Sequence, residues 1–257
     1  MRARNFVWVG AVLAACLSVA WSEPARVVSV SPSGARVPEN LLRFSVRFDV
    51  PPEGGVLGRL ALVDRDGKPL REAFLEQELW SPDGRTLTVL LHPGRVKTGL
   101  AAREQWGAIL TVGDQVLLTF DGRAIQRWSV GPKDEQGPAP AAWTISPLRA
   151  AHCDPLVVHL DAPIDALDVD YVAVVDSRDR RVRGHAAITD RETVWRFRPE
   201  KSWRPGRYKL IVRGTLEDPS GNRVNGQFES GADKRLPLPS DVEIPFVVGC
   251  GLAPYCR

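Results

Sequence analysis

Apolar and polar residues alternate along many short stretches of this chain, and no stretch holds a helical period for long. In 43–49, Phe44, Val46 and Phe48 fall on one side and Arg43, Ser45 and Arg47 on the other. That two-residue period belongs to a strand with one face in a core. The same reading predicts strands at 26–31, 59–64, 86–91, 115–120 and 125–130, then at 143–146, 156–161, 171–176, 193–198, 207–213 and 242–248. In 193–198, Trp195 and Phe197 share the inward face, and Arg196 and Arg198 take the outer one. Glycine-closed turns fall between strands, at Asp64 to Gly67 and at Pro82 to Gly84, where glycine accepts positive φ. Short strands with frequent turn signals predict an all-β sandwich architecture.

The pattern occurs twice. Phe48-Asp49-Val50-Pro51 matches Leu160-Asp161-Ala162-Pro163, and Ala61 to Asp64 matches Ala173 to Asp176, both 112 positions apart. Ser31-Pro32 pairs with Ser146-Pro147, Thr86 to Pro93 with Thr193 to Pro199, and the stretch from Gly113 with that from Gly206. A repeat this long fits two tandem domains rather than a solenoid. The predicted division is a signal peptide at 1–22, a first sandwich at 23–130, a linker at 131–142, a second sandwich at 143–248 and a cysteine-containing tail at 249–257. The linker, GPKDEQGPAPAA, has the composition of a short, semi-extended spacer. The first copy carries an insertion at about 100–112, expected to be a surface loop or a short helix, and it contains Trp106.

The first 22 residues place two arginines before an apolar run too short to span a bilayer comfortably, an export signal. Two cleavage readings stand side by side. Leu13-Ala14-Ala15-Cys16 resembles a lipobox, in which residues 1–15 are removed and Cys16 becomes the lipidated first residue; ordinary cleavage after Ser22 is the alternative. Export opens an oxidising environment to the remaining cysteines, Cys153, Cys250 and Cys256. Cys250 with Cys256 is the shortest closure, and Cys153 with a tail cysteine is the rival.

The formal charge of +3 is carried largely by the leader arginines; residues 23–139 hold 15 basic and 15 acidic side chains. That balance excludes a nucleic-acid partner. Arg178, Arg180, Arg181 and Arg183 read as a solvated hairpin beside Asp176 and Asp179. The four histidines lack metal spacing, and no nucleophile elbow or phosphate loop occurs. Asp161, Asp165, Asp168 and Asp170 invite a calcium reading, but no glycine gives the sharp turn of an EF-hand loop, so a solvated acidic loop is expected. Trp80, Trp195 and Trp203 are expected in cores rather than in a sugar-stacking platform. Tyr208, near the start of a late strand, suits a tyrosine corner, and Asp218 to Asn222 suits a structural turn. No catalytic residue, metal or cofactor is expected.

These residues resemble the bacterial Ig-like domain first described in S-layer proteins. That family has a Ser-Pro opening, Phe-Asp-x-Pro, Val-Asp-x-x-Gly, Gly-x-Tyr-x-Leu and Asp-x-x-Gly-Asn, matched here by Ser31-Pro32, Phe48 to Pro51, Val63 to Gly67, Gly206 to Leu210 and Asp218 to Asn222. The first copy departs at Gln115, which stands where Tyr208 stands in the second. The resemblance implies two tandem Ig-like antiparallel β-sandwiches and a non-catalytic extracytoplasmic module for spacing, display or adhesion. Its partner would be an envelope protein or polysaccharide, with membrane contact only through a lipid anchor. A carbohydrate- or metal-binding envelope module is the alternative.

Overall fold

The computed structural model describes residues 24–150, 152–224 and 240–249. The export signal, Cys16, Cys250 and Cys256 lie outside the described residues. The first eight strands are β1 (Val27–Ser31), β2 (Arg36–Pro38), β3 (Arg43–Phe48), β4 (Leu60–Asp64), β5 (Leu79–Trp80), β6 (Thr86–Leu90), β7 (Gln115–Phe120) and β8 (Arg123–Gly131). They form two four-stranded sheets, ordered β1-β3-β6-β5 and β2-β8-β7-β4. The next eight are β9 (Thr144–Ile145), β10 (Leu148–Arg149), β11 (Leu156–His159), β12 (Val172–Asp176), β13 (Gly184–Thr189), β14 (Val194–Pro199), β15 (Gly206–Val212) and β16 (Val242–Gly249). Their sheets are ordered β13-β14-β11-β9 and β10-β16-β15-β12.

Adding eight to each strand number turns one pair of sheet orders into the other, so the sequence repeat is a repeat of topology. Each copy splits its first strand. β1 pairs antiparallel with β3, whereas β2 crosses to the opposite sheet and pairs parallel with β8; β9 and β10 do the same with β11 and β16. Greek-key sheets with such a split strand make two tandem Ig-like sandwiches.

Alternation sets the cores. Phe44, Val46 and Phe48 are buried within the first sandwich, against Leu118, Phe120 and Trp128 from the facing sheet. Trp195, Phe197 and Trp203 fill the second with Val174, Tyr208 and Leu210. Trp80 packs against the first core, so the three tryptophans line no common platform. The tyrosine corner forms as expected, with Tyr208 Oη donating to the Arg204 carbonyl at 3.0 Å. Glycine closes both expected turns, Gly67 at φ +81° and Gly84 at φ +66°. The insertion holds a short helix, α2 (Ala101–Trp106), just after α1 (Pro93–Val96).

Ser45 and Thr88 break the simple inside–outside pattern. Both lie on the outer face of their sheet, and both are buried. Ser45 shares a crevice with Ile164, Asp165, Glu192 and Pro219 of the second sandwich, which covers that part of the face.

Candidate functional site

The densest polar chemistry lies where the two sandwiches meet. Three connections of the second sandwich reach this junction: the segment from β11 to β12, the β13–β14 hairpin, and the start of the β15–β16 connection. Arg43, the first residue of β3, is the hub. Its Nε pairs with Asp165, Nη1 donates to Glu217 at 2.6 Å, and Nη2 reaches the Asp218 carbonyl at 3.3 Å. Burial works against the charge, yet Asp165 and then Glu217 lift the guanidinium above its usual range. The backbone N–H groups of Leu42 and Arg43 both donate to the Pro219 carbonyl, at 3.0 and 3.2 Å.

The Asp218-Pro-Ser-Gly-Asn222 turn that presents Pro219 is built from its own side chains. Asp218 Oδ1 accepts the N–H groups of Ser220 and Asn222 at 2.8 and 2.9 Å, and Gly221 takes φ +83°. Asp218, Ser220 and Asn222 are all buried. Burial pushes the Asp218 carboxyl up to about 6, although Asn222 and Ser220 donate to it; nearby Asp134 adds to the rise.

The hairpin makes the second contact. Asp190, Arg191 and Glu192 all adopt positive φ, at 54°, 59° and 61°. Three consecutive left-handed non-glycine residues cost roughly 1–3 kcal/mol each, and such strain persists only where the surroundings hold it. What holds it is Glu192, 6% exposed, which accepts hydrogen bonds from Ser31 Oγ at 3.1 Å and from the Ser33 N–H at 3.0 Å.

The linker ends in a short 3₁₀ turn, Pro140–Ala142, and it is pinned to both sides. The Asp134 carbonyl accepts from Asn40 Nδ2 at 2.8 Å and from Asn222 Nδ2 at 3.0 Å, so one linker carbonyl bridges the sandwiches. Asp161 accepts the Ala139 N–H and the Trp143 indole N–H. Gly137 passes so close to the second sandwich that a Cβ would lie 1.9 Å from the Arg223 carbonyl oxygen. Gly137→Ala is therefore expected to push the linker off its seat and cost about 1–3 kcal/mol in a denaturant melt, the range for overpacking; an unchanged midpoint would show that the seat gives way freely.

The acidic stretch read as a solvated loop is largely spent on this junction. Asp165 holds Arg43, Asp161 holds the linker, and Asp168 Oδ2 accepts the Glu217 N–H at 2.9 Å. Asp170 is exposed. Among the described residues, no group of three or more His, Cys, Asp or Glu side chains is arranged to hold a metal. Burial is the main cause that pushes the Asp168 carboxyl up to about 6; Asp165 and Glu217 add to the rise, and the Glu217 N–H and Arg43 oppose it. The folded chain thus binds this proton more tightly than the unfolded chain, whose carboxyl lies near 3.8. Ionised Asp168 costs stability at neutral pH, and the cost is relieved as pH falls through about 6 towards 4. Asp168→Asn keeps an oxygen for the Glu217 N–H and removes the charge. It is expected to stabilise the chain by about 1–2 kcal/mol at pH 7.5 after allowance for solvent screening, and by little at pH 4. Denaturant melts at the two pH values check this; equal gains at both would contradict it.

The remaining sequence candidates lie elsewhere. His159 is exposed on β11. Arg180 pairs with Asp176 across its hairpin turn at 2.7 Å. Cys153 is exposed, with its thiol 3.5 Å from Ser202 Oγ. The Ala150 N–H donates to the Gly249 carbonyl, so residue 153 and the start of the tail share one end of the second sandwich.

No family model matches the chain, and no curated protein matches it. Among solved structures, similarity is found to the BSP domain of a biofilm-associated protein, at 12% identity and TM-score 0.26 over 90% of this chain. It is also found to domains 5–6 of the S-layer protein SbsC, at 11% identity and TM-score 0.26 over 88% of this chain and 98% of that one. The I67–I69 fragment of titin is similar at 11% identity and TM-score 0.24 over 89% of this chain. The matched region spans 30% of the biofilm protein's length and 66% of the titin fragment.

Proposed function

We propose that this chain is a non-catalytic structural or interaction module of a bacterial cell envelope, in which two Ig-like sandwiches work as one stiff unit. The junction is the observation that carries this reading. Three connections of the second sandwich and the linker are committed to holding the first. A pair of loosely tethered binding domains would leave those connections free. In the junction the acidic side chains face arginines, backbone donors and one another, the pattern of a fastening rather than of a reaction centre. The leader read from the sequence supports export, and the even charge balance supports a partner other than nucleic acid.

Backbone ¹⁵N relaxation of the chain tests stiffness. Both sandwiches are expected to report one rotational correlation time; two separate times would overturn the stiff-unit reading. An alkaline phosphatase fusion to residues 1–22 tests export, since the reporter is active only outside the cytoplasm. Loss of lipid labelling on Cys16→Ser separates the anchored form from the freely secreted one.

A ligand-binding module is the second reading. A cleft beside the junction favours it.

A further inference from the structure

Between the sandwiches lies a cleft of about 330 Å³. One wall is the end of β1 and the short strand β2, the floor is the start of the linker, and the opposite wall is Pro163 and the Pro219-Ser220 step. Five of the residues around it are prolines: Pro32, Pro38, Pro132, Pro163 and Pro219. Proline has no N–H to offer, and three of these have spent their carbonyls. Pro32 accepts the indole N–H of Trp128, Pro219 accepts the Leu42 and Arg43 N–H groups, and Pro38 accepts the Leu41 N–H. The walls therefore present rigid C–H surface with little hydrogen-bonding demand. Such faces suit a flat π-system, whose negative face meets C–H bonds favourably.

One charged donor at the cleft is unspent, Arg36. Its stem packs over Gly131, where a Cβ would lie 3.3 Å from Arg36 Cδ, and its side chain is exposed, with no ion pair or hydrogen bond of its guanidinium among the described residues. The other charges at the cleft are engaged locally. Lys133 pairs with Glu135 at 3.3 Å, and the Asp134 carboxylate accepts the Gln136 N–H.

We propose that this cleft binds a small aromatic carboxylate, its ring between the proline faces and its anion on Arg36. The volume lies at the small end of the range for ligand pockets, which suits a ligand of one or two rings. The proposal deepens the ligand-binding reading and rests on the docked junction, because the cleft exists only while the sandwiches are held together.

The test is a titration of the ¹⁵N-labelled full chain with indole-3-acetate, alongside indole and acetate. Indole-3-acetate is expected to saturate, shifting the amides of Val37, Gly131 and Ser220. Indole should bind more weakly and acetate not at all. Arg36→Gln should weaken indole-3-acetate about tenfold, the worth of one charge-assisted hydrogen bond, and leave indole unchanged. No saturation by about 10 mM, weaker than a useful site, would overturn the proposal; so would equal affinity in wild type and Arg36→Gln. Relaxation data on the same sample separate the failures. Two correlation times would remove the junction and the cleft together, whereas one correlation time without binding would remove only the ligand.

Discussion

Arg43→Met is expected to split a single cooperative melt of this chain into two transitions. The side chain of Arg43 is 15% exposed, and those of Asp165 and Glu217 are 9% and 19% exposed. Removing the cation leaves two carboxylates sheltered from water, with Asp168 close enough to raise the repulsion. Breaking a buried ion pair from one side costs about 3–5 kcal/mol, because the stranded charges keep their desolvation cost and lose their partner. The cost falls on the docking rather than on either core. Each sandwich has its own apolar cluster, and Arg43 belongs to neither. Methionine keeps much of the stem volume, so little of the effect comes from a cavity. Arg43→Lys should fall between, since a single ammonium cannot serve both carboxylates and the Asp218 carbonyl in the fork geometry of a guanidinium. Calorimetry checks the result. One unshifted transition in Arg43→Met would show that the backbone bonds to Pro219 and the Glu192 contact carry the docking without the arginine.

Much of the fold was legible because alternation and duplication are local signals. The strands from 43, 60, 86, 115, 156, 172, 194, 206 and 242 were all visible, most within one or two residues of their ends. Three of the strands that the pattern does not predict, β2, β5 and β10, are two or three residues long, too short for a period to show; β9 is as short but falls inside the predicted 143–146. β13 has six residues, but Gly184-His-Ala-Ala offers no large apolar side chain, and as an edge strand it is nowhere fully buried. Gly184 itself is dictated by a distant neighbour, since a Cβ there would meet the Phe197 ring at 2.5 Å. The junction was illegible for a stronger reason. Arg43 lies 122 positions from Asp165 and 174 from Glu217, and nothing local marks them as partners. The acidic run looked solvated because four carboxylates close in sequence usually are. A hint was available in the repeat: the position 112 beyond Arg43 is Pro155, so the arginine belongs to one copy only. A charge present in one copy of a duplicated scaffold serves something other than the scaffold.

Arg95 should give the other large effect. It sits in α1 at 7% exposure, and its guanidinium faces carbonyls rather than a carboxylate. Nε donates to Gly107 at 3.0 Å, Nη1 to Arg71 and to Glu72 at 3.1 Å, and Nη2 to Trp106 at 3.3 Å and Ala108 at 3.1 Å. Burial pulls its pKa down, partly offset by Glu72, yet arginine remains charged at any pH at which the chain is folded. Its cost of burial is met by five acceptors from two irregular segments that have no sheet to satisfy them. Arg103 extends the arrangement, with Nη1 donating to the Arg95 and Val96 carbonyls at 2.9 Å. Arg95→Met would leave five carbonyls without this donor. Water can reach some of them, so we expect a loss of about 3 kcal/mol rather than the full sum of the desolvation penalties. For a sandwich of this size that lowers the melting temperature by about 10 °C or more. Combining it with Arg43→Met assigns the loss. With the sandwiches uncoupled, the first transition should move and the second should stay, because every Arg95 contact lies in the first sandwich. Limited proteolysis should report the same event as new cleavage within 97–112, where the insertion loses its anchor. Arg95→Lys is expected to recover less than half of the loss, since three ammonium donors on one centre cannot span carbonyls at 71–72 and 106–108 together. Full rescue by lysine would mean that charge alone, and not the planar fork, holds the insertion in place.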